Sequence, residues 1–137
     1  MHFLPIVPAG AQVIPEADQQ KIEAASPAAA IVKPLKPRKL LIFDLNVNHG
    51  GHASMPTANQ AFTLMGSMTG AFETVVSHDP QVFKRESLRL FDAVFFNNTV
   101  GNFFTDPELR LESMPHISKS IEFFNGVSMH VDQALDR

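Results

Sequence analysis

A parallel, flavodoxin-like α/β sheet of strand order 2-1-3 is the fold class the sequence predicts, and three observations predict it. Two short apolar runs, Lys39 to Leu45 and Phe91 to Phe96, each lead straight into a polar loop, Asn46 to Ser54 and Asn97 to Thr99. Between them lies a stretch with helical spacing, followed by a run rich in β-branched residues at Phe72 to Val76. Strands joined by a crossover helix pair in parallel, and right-handed crossover is the strong rule for such units.

The elements follow in order. Ser54 offers a hydroxyl to cap a helix whose first turn tolerates Pro56, and Ala58, Ala61, Phe62, Met65 and Met68 then recur on one side. Gly66 weakens the middle of that helix, and Gly70 is placed to end it in a left-handed conformation. His78-Asp79-Pro80 turns the chain out of the second strand, Val82 to Leu90 makes a short helical or irregular crossover, and Phe91 opens the third strand. Asp106-Pro107-Glu108 is a helix start: a capping oxygen, a proline at the first helical position and an acid in the first turn. Pro115 breaks that helix, Ile117, Ile121 and Phe124 resume the stripe, and Asn125-Gly126 closes it. Residues 127–137 are too few for another strand and helix, so the sheet is expected to be incomplete.

Composition bounds the function. The 137 residues suit one ordinary core, and a formal charge of -3 provides no basic excess for phosphates, so nucleic acid is not an expected partner. With no cysteine there is no disulfide framework, no thiolate nucleophile and no thiolate metal site. The start, Met1 to Ala11, lacks a positive charge cluster and is interrupted by Pro5 and Pro8, which makes a poor signal peptide. No run reaches membrane-helix length, so a membrane is not an expected partner either, and a cytoplasmic location is the expectation. Six of the ten prolines lie at or before Pro37, and eleven of the twelve phenylalanines at or after Phe43. Residues 1–37 therefore read as a Pro/Ala-rich arm, with a short helix over Pro15 to Ala25 and an extended stretch from Ser26 to Pro37. Residues 38–137 read as the domain.

Four blocks carry a resemblance. Pro37 to Phe43, His52 to Pro56, Met65 to Glu73 and Phe91 to Gly101 together resemble, in order and spacing, the N-terminal half of the trehalose-utilisation, or ThuA-like, family. The similarity covers about residues 38 to 111. It implies a partial doubly wound domain similar to class I glutamine amidotransferases and linked to disaccharide catabolism. The family continues into a glycine-rich turn ending in Gly-x-His, and Gly126 to His130 is a degenerate echo of it, which fits a fragment or a disturbed C-terminus.

The candidate site lies at the strand ends, because ligands in open α/β sheets bind beyond the carboxyl ends of the strands at the switch point. His52, at the position of the family's characteristic histidine, is the catalytic candidate; an imidazole beside a helix N-terminus can polarise a hydroxyl or carbonyl. Ser54, Asn97, Asn98 and Thr99 are the substrate-binding candidates, since amides and hydroxyls supply both donors and acceptors to a sugar. Each also has a structural alternative: Ser54 as the helix cap, the asparagines as a turn. His49 and His52 lack a third ligand at zinc spacing, so no metal is assigned, and no cofactor is assigned. Asp44 is a general base if buried near His52, otherwise a solvated strand-end carboxylate. His78 and Asp79 read as turn residues away from the crevice. Phe95, Phe96, Phe103 and Phe104 read as core, with sugar stacking open to Phe103. Without a Gly-x-Ser-x-Gly elbow or a cysteine, covalent acyl transfer is disfavoured. The leading function is thus a ThuA-like domain of carbohydrate catabolism with a sugar-like ligand. The alternative is an inactive truncated or interaction module that needs a partner chain or a missing C-terminal half. Its homo-oligomer would form through the N-terminal arm or the exposed sheet edge.

Overall fold

The computed structural model describes residues 13–48 and 50–113. The sheet is all-parallel with strand order β2-β1-β3, formed by β1 (Lys39–Phe43), β2 (Glu73–Ser77) and β3 (Ala93–Phe96). This is the flavodoxin-like arrangement that the apolar runs and the intervening helix predict. β1 is the central strand, and Leu41, Ile42 and Phe43 are fully buried, which is why its sequence is continuously apolar rather than alternating.

α2 (Met55–Thr69) covers one face of the sheet, where Phe62 meets Phe95 at a centroid separation of 4.5 Å and Thr63 shares a hydrogen bond with Thr74. Gly70 ends α2 with φ of 64°, donating its N–H back to the Gly66 carbonyl, as its position predicts. Gly66 has a stronger reason than helix propensity to be glycine. A Cβ there would lie 2.5 Å from the Phe72 carbonyl oxygen, so the helix and the start of β2 approach only because the side chain is missing.

The opposite face is a phenylalanine core. Phe43 and Phe83 pack edge to face at 4.7 Å, and Phe96, Phe103 and Phe104 close around them with Leu109. Offset and edge-to-face contacts suit the ring quadrupoles, and each buried ring contributes roughly 1.5–3 kcal/mol from burial alone. Phe103 belongs to this core, 5.3 Å from Phe43 and 4.4 Å from Phe104, so its ring is occupied by packing.

Phe83 arrives on a 3-10 turn, Pro80–Phe83, which Asp79 starts by accepting from Gln81 N–H at 2.9 Å. A single-turn α3 (Arg85–Leu88) follows. Leu109 arrives on α4, residues 107–113, whose first turn Asp106 caps through Glu108 N–H at 2.9 Å. Both turn chemistries match the sequence signals. α1 (Glu16–Ala25) packs on α2, so this part of the arm touches its own chain, while residues 27–37 have no regular structure and leave Ile31 and Leu35 fully exposed. The stripe resuming after Pro115 and the Gly126 to His130 echo lie outside the described residues, as do Met1 to Ala11 and His49.

Candidate functional site

The two polar loops meet at the carboxyl end of the sheet. Beyond β1 and β3 the chain continues in parallel: Asn46 pairs with Val100, Val47 N–H donates to the Val100 carbonyl at 2.9 Å, and Val100 N–H donates to Leu45 at 3.3 Å. Gly101 permits this closeness. Its φ is 94°, and a Cβ would sit 2.7 Å from the Val47 carbonyl oxygen. The juxtaposition expected of the first and third strand tips is therefore present in the backbone itself.

Side chains then tie the loops to α2. Asn97, 7% exposed, donates to the Met55 carbonyl at 3.0 Å and to Asn59 Oδ1 at 2.8 Å. Thr99 donates its hydroxyl to the Phe43 carbonyl at 2.9 Å. Asn46 Nδ2 donates to the Asn98 carbonyl at 2.8 Å. Asn98 itself has φ of 52°, the left-handed conformation that asparagine tolerates in a turn. Asn97 and Thr99 thus spend side-chain groups on the fold. In contrast, Asn98 Nδ2 and Asn46 Oδ1 are buried with no hydrogen-bond partner, a donor and an acceptor on two adjoining loops. Buried polar atoms are paired in the great majority of cases, so these two orphans on adjoining loops single out this end of the sheet.

His52 and Ser54 are exposed on the turn that leads into α2. The capping role expected of Ser54 is not formed. Its backbone is already helical, φ −80° and ψ −7°, and no side-chain cap hydrogen bond is made; the extended conformation that aims a capping oxygen at the first-turn N–H groups is missing. The His52 carbonyl accepts from Met55 N–H at 3.1 Å, and its imidazole stands outside the network that joins the strand ends.

Asp44 is neither solvated nor paired with His52. Its side chain is 10% exposed, and one oxygen meets His78 Nδ1 at 2.7 Å while the other accepts from Asn59 Nδ2 at 2.7 Å. A continuous chain of hydrogen bonds therefore runs across the sheet end, from His78 after β2 through Asp44 after β1 and Asn59 on α2 to Asn97 after β3. Local sequence patterning gives Asn59 no role and His78 only a turn role. A signal for Asn59 was present: it stands four residues after Met55 and three before Phe62, a polar residue within the stripe that faces the sheet.

Among the described residues, a pronounced electrostatic cluster sits at the other end of the sheet. Asp92 binds Arg38 Nη1 at 2.8 Å, Lys36 Nζ at 3.3 Å and the Lys39 backbone N–H at 2.9 Å. The Arg38 guanidinium, then the Lys39 N–H and Lys36, hold its carboxyl down at about 2. Among the described residues no group of three or more histidines, aspartates or glutamates is placed to hold a metal ion, and no helix is long and apolar enough to cross a membrane. Comparison of the chain with protein families, with curated proteins and with solved structures returns no match.

Proposed function

We propose that the crevice between the Asn46 and Asn98 loops binds a small polyhydroxylated, sugar-like molecule, as a ThuA-like domain of carbohydrate catabolism would. The observation that carries this reading is the pair of unpartnered amide atoms. A hydroxyl is at once donor and acceptor, so a molecule rich in hydroxyls can donate to Asn46 Oδ1 and accept from Asn98 Nδ2. Sites of this kind lie at the switch point of parallel sheets, and here one loop follows the central strand β1 and the other its neighbour β3. In this reading His52 reaches the same ligand from the start of α2 and acts on it, with Ser54 beside it. Asn97 and Thr99 hold the crevice in shape rather than touch the sugar.

The test is thermal unfolding of the full chain with glucose, trehalose, sucrose and ribitol at increasing concentration. Ligand at a hundred times its Kd stabilises the folded state by about 2.7 kcal/mol, a readily measured rise in Tm. Wild-type protein is expected to respond to at least one sugar, Asn98→Ala to lose the response, and His52→Ala to weaken it. An absence of any rise with all four sugars refutes the reading.

An interaction module is the second reading, supported by Leu90 and Leu111, 65% and 78% exposed, and by outer edges of β2 and β3 that pair with no other described strand. Sedimentation of the full chain separates the two, since a partner-dependent module self-associates or binds hydrophobic dyes.

A further inference from the structure

We propose that His78, held by Asp44, is a proton-accepting catalytic residue at the β2 side of the crevice, serving the ring opening of a cyclic hemiacetal sugar. The substrate class rests on the sugar-binding reading above; the proton-transfer geometry does not.

The dyad is built from the network's polarity. Asn97 donates to Asn59 Oδ1, which fixes the Asn59 amide so that its Nδ2 faces Asp44 Oδ2. Asp44 accepts there, and its other oxygen accepts from His78 Nδ1 at 2.7 Å. The hydrogen of the neutral imidazole is thereby placed on Nδ1, and the lone pair on Nε2. The carboxylate is 10% exposed and the imidazole 59% exposed, so an oriented anion lies beneath a ring open to a ligand. A base oriented by a third group is the recurring arrangement of general base catalysis, and here it stands at the carboxyl ends of neighbouring strands. A turn residue needs none of this.

The step balances without a further reagent. Nε2 takes the proton of the anomeric hydroxyl, and the electrons of that O–H bond form the carbonyl. The bond from the anomeric carbon to the ring oxygen breaks with its pair on the ring oxygen, which takes a proton from water and leaves a hydroxide that recovers it when the ring closes. Asp44 stabilises the imidazolium, and closure on either face returns the proton and exchanges the anomers. His78 touches the substrate; Asp44 and Asn59 position it.

Polarimetry of freshly dissolved α-D-glucose with the full chain, together with ¹⁵N NMR of the imidazoles, tests this. Wild-type protein is expected to speed anomer interconversion beyond an equal concentration of free imidazole. His78→Gln should still unfold cooperatively and lose about 100-fold of the rate, the usual contribution of a positioned base. In NMR, His78 should carry its hydrogen on Nδ1, and Asp44→Asn should move it largely to Nε2 and slow the reaction. A wild-type rate no greater than imidazole, a rate untouched in His78→Gln, or a hydrogen on Nε2 in the wild type overturns the proposal. Failure here with an Asn98-dependent rise in Tm leaves the sugar site standing without this chemistry. A His78-dependent rate with no such rise removes the Asn46 and Asn98 contacts instead.

Discussion

The two ends of the sheet solve the same problem with opposite chemistry. At the amino end, neighbouring strands are joined by one exposed carboxylate, Asp92, that gathers Lys36, Arg38 and the Lys39 N–H from the start of β1. At the carboxyl end they are joined by amides and a shielded carboxylate: Asn97 is buried, and Asn46, Asn59 and Asp44 are half-buried. Exposed ion pairs are screened, and each contributes little. Buried amide contacts contribute modestly when intact and cost much when one partner is removed. The carboxyl end is thus the less forgiving of the two, although its neutral amides draw less notice than a charge cluster. That rigidity is what a ligand site needs, because it fixes donors and acceptors before the ligand arrives.

Asn97→Ala should have the largest effect. It strips donors from Asn59 Oδ1 and the Met55 carbonyl in a buried setting, and a loss of about 3 kcal/mol is expected from urea unfolding at neutral pH. The double variant with Asn59→Ala should cost less than the sum of the two singles, since the pair shares a bond. Equal additivity would break the claim that this end behaves as one network. Gly101→Ala comes next, at about 2 kcal/mol, because it forces a side chain into positive φ and against the Val47 carbonyl. A cost near zero in the same urea assay would mean the loops do not need their close parallel approach.

The backbone of this comparison was legible in the sequence, and the side-chain network was not. Strand order 2-1-3 follows from two apolar runs, a crossover helix and the pairing habits of such units, and Gly70, Asp79 and Asp106 announce their turns through local chemistry that needs no tertiary information. Ser54 shows the limit of local rules: its residue type suits a cap, but its backbone is already helical and no side-chain cap forms. Asp44 and His78 are 34 positions apart, and their 2.7 Å contact exists only because β1 and β2 lie side by side in register, Phe43 opposite Ser77. Periodicity predicts the strands but cannot say which side chains at their tips will find each other. By sequence alone Gly66 is a helix weakness for the same reason, since its purpose lies in the approach of Phe72.

Asp92→Asn should have the smallest effect at neutral pH and the most informative pH dependence. The folded carboxyl titrates at about 2, below its ordinary 3.8, because Arg38, the Lys39 N–H and Lys36 favour the anion. A depressed folded value means the unfolded chain binds the proton first as acid is added. The stabilisation is therefore complete above about pH 4 and is lost as the pH falls through about 2. Wild-type and Asp92→Asn melting temperatures should differ slightly at pH 6 and converge toward pH 2, and 1 M salt should narrow the gap at pH 6. The Asn97→Ala deficit, resting on uncharged groups, should persist at pH 6 through the same addition of salt. If salt instead narrows the Asn97→Ala gap and spares the Asp92→Asn gap, the division between a charged end and an amide end is wrong, because screening acts on charges and leaves buried amide contacts nearly untouched.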